Sequence, residues 1–221
     1  MKVLAIDTST MISTVTISED DKIIGDFNVN QEKTHSESLV PMIETLLKLL
    51  GLDLKDIDLF AIAQGPGSFT GLRISMAVIK TLAQVTKKKI IPISTLEALA
   101  NKSSSDRYKL AMLDARGNRV YGVLYSPDLK EEIIKEDLYT IDDFSKKVNE
   151  LGYEIDLIGE VCKKYEDKFE KARLLPMNFN SCIGGSLVKL ALERKDEDHD
   201  LFSLVPNYLR KSQAERDLEK K

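Results

Sequence analysis

Apolar residues in the first half of the chain follow two periods, and this pattern predicts strands and helices in a definite order. Unbroken or alternating apolar runs are typical of strands, whereas apolar residues spaced three and four apart indicate one face of a helix. Two helices are predicted, at residues 34–50 and 72–86, and Thr34 and Glu37 have the spacing of a capping box at the start of the first. The predicted strands are residues 3–6, 14–18, 22–29, 58–64 and 89–93.

The second half of the chain repeats this order of elements. In each half an apolar strand ends in an acid, Asp7 or Asp114, and a hairpin, a further strand and a helix follow. Such a repeat predicts two similar α/β lobes with mixed sheets flanked by helices, and between them a cleft of the kind where ligands often bind. A polar, serine-rich stretch at 101–108 divides the lobes into residues 1–103 and 104–221. The predicted elements of this half are strands at 110–113, 120–125, 131–139 and 156–158 and helices at 141–151, 161–172 and 183–193.

Three glycines and a proline lie between a strand and a helix in the stretch Gly65-Pro-Gly-Ser-Phe-Thr-Gly-Leu-Arg73. Glycines allow a close approach of other atoms to the backbone, and amides at a helix N-terminus can bind an anion. The spacing does not match a Walker loop, because the last glycine is followed by Leu72 and Arg73, and Thr70 replaces the third glycine of a dinucleotide fingerprint. Two interpretations remain: a tight turn with Ser68 or Thr70 as N-cap, and a ligand-binding loop.

Composition sets ordinary bounds on the function. The 221 residues are 43% hydrophobic, which suits a sizeable core, and the net charge of −4 gives no general attraction to nucleic acid. Cys162 and Cys182 lack the spacing of a metal or redox motif, so buried or half-buried thiols are expected. No apolar run approaches the roughly 20 residues that a membrane span needs. We expect a cytoplasmic protein that does not contact a membrane.

The second predicted helix carries apolar residues on two sides, although a helix with one buried side needs only one stripe. The first helix has a similarly broad apolar face. Either the two helices present a hydrophobic surface to a matching pair of helices in a partner, or later elements of the same chain cover them. The stripes of the second helix are Phe69, Leu72, Met76, Ile79 and Ala83 on one side and Ile74, Val78, Leu82 and Val85 on the other.

Short motifs are spread over nearly the whole chain. They are Ala5-Ile-Asp-Thr-Ser9, Thr34-His-Ser-Glu37 followed by Pro41, the glycine-rich stretch extended to Ile74, Leu113-Asp-Ala-Arg116 followed by Val120-Tyr121, and Pro206-Asn-Tyr-Leu-Arg210. In combination these residues resemble the bacterial TsaB (YeaZ) family, a degenerate paralogue of TsaD. The resemblance implies an α/β fold with two similar actin-like (ASKHA, ribonuclease H-like) lobes, each with a mixed sheet flanked by helices.

The resemblance also implies a role in tRNA modification. TsaB-like proteins take part in forming N6-threonylcarbamoyladenosine in tRNAs that read codons beginning with A, and a separate enzyme supplies the threonylcarbamoyl-adenylate. The implied partners are a TsaD-like catalytic paralogue, a TsaE-like ATPase, tRNA through the complex, and a second copy of the chain when it is alone. The surface implied for the paralogue is His35, Leu39, Met42, Ile43, Leu46, Phe69, Leu72, Arg73, Met76, Ile79, Lys80 and Ala83.

The residues that a catalytic paralogue needs are missing from the matching positions. TsaD-like proteins carry a His-x-x-x-His pair on a helix, which places both imidazoles on one face to hold a metal. Thr95 and Leu99 occupy these positions here, and leucine cannot coordinate a metal. The two histidines of the sequence, His35 and His199, do not replace the pair. We therefore expect no catalytic residues, no metal site and a non-catalytic subunit.

A degenerate nucleotide cleft is the remaining candidate site. The superfamily implies that Asp7, Thr8 and Ser9 of the first lobe face Asp114 and Arg116 of the second. An arginine can pair with a phosphate, and hydrogen bonding at the strand ends is the alternative role for the two aspartates. We expect no cofactor bound by the chain alone and ATP or ADP only at the interface with the partner.

Three other function classes have distinguishing features. A small ASKHA-type ATP-dependent kinase or transferase would use the cleft between Asp7 and Asp114 and bind ATP by itself. A protease would need a His–Ser–acid arrangement or a His-Glu-x-x-His motif, which the sequence lacks. A homodimeric tRNA-binding module would use the basic clusters Lys87-Lys88-Lys89 and Arg210-Lys211, against the acidic balance of the chain.

Overall fold

The computed structural model describes residues 1–30, 35–176 and 182–210, and its strands form two mixed five-stranded sheets. In the first sheet, with the order β3-β2-β1-β4-β5, β1 to β3 are antiparallel neighbours while β1, β4 and β5 run parallel. Parallel neighbours need crossover connections, which α1 (His35–Leu50) and α2 (Phe69–Thr86) supply. The strands are β1 (Lys2–Asp7), β2 (Ile12–Glu19), β3 (Lys22–Asn30), β4 (Leu59–Gly65) and β5 (Lys89–Ser94).

The second sheet has the same topology as the first. Its order is β10-β9-β6-β7-β8, with an antiparallel meander from β6 to β8 and parallel pairing of β6, β9 and β10. The internal repeat and the α/β class predicted from the sequence are therefore confirmed. The strands are β6 (Tyr108–Asp114), β7 (Arg119–Tyr125), β8 (Glu132–Thr140), β9 (Ile155–Ile158) and β10 (Ala172–Leu174).

The prediction of a helix at residues 161–172 is wrong beyond the first turn. The chain forms α5 (Cys162–Tyr165) and a short 3-10 turn, and it then extends into β10. Val161, Tyr165 and Phe169 are buried at intervals of four, which is a helical spacing. Residues Ala172–Leu174 instead pair in parallel with the edge of β9 and form a strand. This pairing with a strand elsewhere in the chain overrides the local helical pattern.

Other helices agree with the sequence pattern within a few residues. They include α4 (Ile141–Leu151) and α6 (Gly184–Glu193), while α3 (Thr95–Ala100) is a short helix that the apolar pattern does not predict. Thr34, the predicted cap of α1, lies outside the described residues. No described helix is long and apolar enough to cross a membrane.

Alternation along the central strands distributes apolar side chains between separate layers. In β1, Val3 and Ala5 join a core shared by both sheets with α3 and α6, whereas Leu4 and Ile6 pack beneath α1 and α2. The outer face of the second sheet is covered by α4 and α5. Although α6 follows the second sheet in the chain, it packs against the first sheet, where a Cβ at Gly184 would lie 1.8 Å from Oγ1 of Thr16. The division into lobes at residue 103 stays a prediction.

Candidate functional site

The glycine-rich stretch forms a tight turn against the β1–β2 hairpin. Ser68, one of the two N-cap candidates of the tight-turn interpretation, is the N-cap of α2, and its Oγ accepts a hydrogen bond from the Gly71 amide at 3.2 Å. The Thr8 hydroxyl donates to the Gly71 carbonyl at 2.7 Å, and a Cβ at Gly71 would lie 1.9 Å from the Thr8 carbonyl oxygen. At Gly67 a Cβ would lie 2.4 Å from the carbonyl oxygen of Ser9. These contacts are within the chain and favour the tight-turn interpretation.

The two strand-end acids make the same local hydrogen bond. Oδ1 of Asp7 accepts from the Ser9 amide at 2.7 Å, and Oδ1 of Asp114 accepts from the Arg116 amide at 3.1 Å. Asp7 is buried, whereas Asp114 is exposed. Burial raises the pKa of Asp7 to about 6, although the hydrogen bonds from Ser9 oppose this shift. Both acids therefore act as turn residues in the structure.

A cleft of about 800 Å³ lies between the two lobes. Of the residues predicted to form a nucleotide cleft, Ser9, Asp114 and Arg116 line it, while Asp7 and Thr8 are buried behind its wall. The lining residues contributed by the two hairpins and the C-terminal segment are Ser9, Thr10, Met11, Asp114, Ala115, Arg116, Gly117, Arg119, Asn207, Tyr208, Leu209 and Arg210.

The sequence pattern missed two contributors to this cleft. Glu160 follows β9 and lines the cleft, where burial and the nearby Asp114 raise the pKa of its carboxyl. Tyr208 and Arg210 reach the cleft from the C-terminal segment. The motif Pro206-Asn-Tyr-Leu-Arg210 was the only signal for the second contributor, because this segment has no apolar periodicity.

Most residues predicted to contact a partner are buried within the first lobe. All of them except Leu72 belong to the core that also contains Leu4 and Ile6 of β1. Their side chains stabilise the lobe, and their contact with a partner stays a prediction. The residues are Leu39, Met42, Ile43, Leu46, Leu72, Met76, Ile79 and Ala83.

The remaining predicted contacts also have partners within the chain. His35 is half-buried, and its Nδ1 lies 2.7 Å from Oγ of Ser13; burial lowers the pKa of its imidazole. Phe69, Arg73 and Lys80 face the C-terminal segment. Later elements of the chain thus cover one side of α2, as one of the two sequence interpretations has it.

The second apolar stripe of α2, here named the outward stripe, lies beside the inner stripe of Phe69, Leu72, Met76, Ile79 and Ala83. In the outward stripe Ile74, Val78 and Leu82 are half-buried and pack against the edge of the core beneath α1 and α2, whereas Val85 is 73% exposed. On the neighbouring α1, Leu49 is 70% exposed. An apolar band along two adjacent helices is typical of a protein-binding surface.

The positions that match the metal-binding histidines of TsaD lie on α3. Thr95 and Leu99 are 1% and 2% exposed. Leu99 belongs to the core shared by the two sheets. Neither residue lines the cleft.

The arrangement of the lobes defines the class of protein. Two sheets of one mixed topology flank a cleft, which is the architecture of the actin-like ATPase fold. The chain superposes on YeaZ from Pseudomonas aeruginosa with a TM-score of 0.79, covering 94% of this chain and 99% of that chain at 24% identity. This likeness is evidence for the fold.

Relatives in sequence identify the family. The family model described as TsaD, tRNA N6-adenosine threonylcarbamoyltransferase, matches residues 22–218. The chain is 29% identical to tRNA threonylcarbamoyladenosine biosynthesis protein TsaB of Bacillus subtilis, over 97% of this chain and 96% of that protein. It is 31% identical to the protein of the same name from Buchnera aphidicola subsp. Schizaphis graminum, over 82% of this chain and 90% of that protein. The chain belongs to the TsaB (YeaZ) family.

Proposed function

We propose that this chain is a non-catalytic scaffold subunit in the formation of N6-threonylcarbamoyladenosine in tRNA. It binds a TsaD-like catalytic paralogue, helps to recruit a TsaE-like ATPase to the pair, and meets tRNA through the complex. Family membership and the names of the relatives support the pathway. The observation that carries the scaffold role is the apolar outward stripe of α2, formed by Ile74, Val78, Leu82 and Val85.

The outward stripe suits a partner that presents a similar pair of helices. Its residues recur at intervals of four and three, so they form a continuous band along the helix. Exposed Ala77 and Thr81 lie beside this band on the solvent side of the helix and are small enough to permit close helix packing. A paralogue of the same fold has equivalent helices, and a second copy of this chain replaces it when the chain is alone. The docking surface is therefore the outward stripe, while the inner stripe supports it.

The non-catalytic part of the proposal is supported by Thr95 and Leu99. A metal-binding pair on α3 would require two ligating side chains, and these positions offer a buried threonine and a buried leucine. Catalysis is therefore assigned to the paralogue. ATP or ADP is assigned to the interface of the complex.

Binding of the paralogue tests the outward stripe. We expect the variant Ala77→Arg/Val85→Arg to bind the TsaD-like protein of the same organism at least about tenfold more weakly than the parent in isothermal titration calorimetry, because two charges must be desolvated in an apolar interface. Leu151→Arg is the matched control, since Leu151 is 38% exposed at the end of α4 in the second lobe. Equal affinities for the parent and both variants would remove the docking surface from the proposal.

A second candidate function is a small ATP-dependent enzyme that uses the cleft. The cleft volume of about 800 Å³ is sufficient for a nucleotide, and Arg116 and Arg119 line it. Asp114 and Glu160 lie on the same walls and would repel a polyphosphate. Saturable ATP binding by the chain alone that is lost in Arg116→Ala favours this enzyme, whereas no binding by the parent favours the scaffold.

A further inference from the structure

Residues 201–210, here named the C-terminal strap, lie against the first lobe. Nζ of Lys80 on α2 donates to the carbonyl oxygen of Leu204 at 3.0 Å, and the Leu204 side chain packs into the core beneath α1 and α2. At the end of β4, Nε2 of Gln64 donates to the Val205 carbonyl at 2.7 Å. The backbone amide of Asn207 donates to the backbone carbonyl of Gln64 at 2.8 Å. The strap is thus held by side chains and by backbone.

Aromatic and glycine contacts fix the next part of the strap. The ring of Tyr208 stacks on Phe69 with 4.3 Å between centroids, and its hydroxyl accepts from Nε of Arg73 at 3.0 Å. At Gly65 a Cβ would lie 2.6 Å from the Asn207 carbonyl oxygen, so the strap approaches β4 as closely as a glycine permits. The position of the strap on the first lobe is therefore specified by several independent contacts.

The same strap also binds the second lobe. Nδ2 of Asn207 donates to Oε1 of Glu136 on β8 at 3.1 Å. The guanidinium of Arg210 donates to the carbonyl oxygen of Ala115, in the β6–β7 hairpin, at 2.5 Å. Leu209 packs against the core that the two sheets share. Asn207 therefore contacts β4 with its backbone and β8 with its side chain.

We propose that the C-terminal strap is a tie that fixes the separation of the two lobes at the cleft. The lobes are also joined by the core around α3 and α6, which reaches the cleft at Ala115, and by the Ser94 hydroxyl, which donates to Glu136. Two lobes joined through such a core can close and open about it as a hinge. The strap adds a further connection along the cleft wall, through Asn207 and Arg210, and this connection holds one lobe arrangement.

The test removes the contacts with the second lobe and leaves those with the first. The variant Asn207→Ala/Arg210→Ala deletes the two side-chain donors to Glu136 and Ala115, while the backbone bonds to Gln64 and the stack with Phe69 stay. Ser203→Ala is the matched control. The hydroxyl of this strap residue donates within its own turn, to the Asp200 carbonyl at 3.2 Å.

The readout is the distance between the hairpins on either side of the cleft. Spin labels at Met11→Cys and Asn118→Cys, in a background with Cys162 and Cys182 replaced by alanine, are measured by pulsed electron paramagnetic resonance. Both labelled positions are exposed. We expect a narrow distance distribution in the parent and in the Ser203→Ala control, and a distribution at least twofold broader in the double variant. The same narrow distribution in all three would overturn the proposal.

A second variant keeps the test decisive if the double variant does not fold. Arg210→Ala alone removes the contact with Ala115 and leaves the Asn207 side chain in place. Hydrogen exchange of the parent and of this variant is compared by mass spectrometry. We expect at least threefold faster exchange in the β6–β7 hairpin and no change in α4. Unchanged exchange in that hairpin would contradict the tie.

Discussion

At the scale of single residues, Asp7 stabilises a turn, although its position at the end of a strand beside a cleft is also typical of a ligand-binding acid. The residue is 3% exposed, and its carboxylate accepts a hydrogen bond from the Ser9 amide, which fixes the turn that leads into β2. Asp114 makes the equivalent bond at the surface of the second lobe. A buried carboxylate is costly in its charged form, and the raised pKa of Asp7 is the expression of that cost.

The burial of Asp7 predicts a pH dependence of stability. Because the pKa of about 6 in the folded chain lies above the ordinary value of 3.8, the free energy of unfolding falls as the pH rises between these two values. Asp7→Asn keeps an acceptor for the Ser9 amide without the charge. We expect this variant to exceed the parent by up to roughly 3 kcal/mol at high pH and by little at low pH. Urea unfolding at several pH values measures the difference, and a pH-independent difference would contradict the assignment.

Gly71 gives a second prediction at this scale. An alanine there would place Cβ 1.9 Å from the Thr8 carbonyl oxygen, so α2 and the β1–β2 hairpin must move apart. We expect Gly71→Ala to lower the free energy of unfolding by about 2 kcal/mol or more. The control is Gly185→Ala in α6, where no atom lies within 4 Å of the added Cβ. A loss at Gly71 no greater than at Gly185 would show that the close approach is not required.

At the scale of elements, the sequence predicts what local pattern determines. The apolar run 58–64 ends at a glycine and forms β4, and the amphipathic stretch 141–151 forms α4 with these bounds. The pattern fails where distant residues decide, as in β10, which depends on the open edge of β9. The sequence pattern also cannot tell which of the two apolar stripes of α2 faces the sheet, because that depends on how the helix packs. The strap lacks periodicity and depends on contacts with residues such as Gln64, far away in the chain.

The two stripes of α2 are expected to respond differently to a charge. Ile79 on the inner stripe is fully buried, so Ile79→Glu is expected to lower the free energy of unfolding by about 4 kcal/mol or more. Val85 on the outward stripe is 73% exposed, and Val85→Glu is expected to change it by about 0.5 kcal/mol or less. Chemical denaturation of both variants measures this contrast. A similar loss of unfolding free energy in both variants would mean that Val85 belongs to the core.

At the scale of the whole molecule, the two lobes share one sheet topology, but the helices that cover them present different surfaces. The first lobe carries long helices with a partly exposed apolar stripe, whereas α4 on the second lobe is amphipathic, with charged residues on its outer side. The core around α3 and α6 joins the sheets, and the proposed tie holds them at the cleft. Such a body suits a subunit that presents a fixed surface to a partner.

The proposed scaffold function makes this chain a requirement for tRNA modification, and leaving it out of a reconstituted reaction tests that requirement. Unmodified tRNA, threonylcarbamoyl-adenylate, ATP and the TsaD-like and TsaE-like proteins are combined with and without the chain, and N6-threonylcarbamoyladenosine is quantified by mass spectrometry. We expect product only when the chain and the TsaD-like protein are both present, and none from the chain without that paralogue. The same yield with and without the chain would contradict the scaffold function.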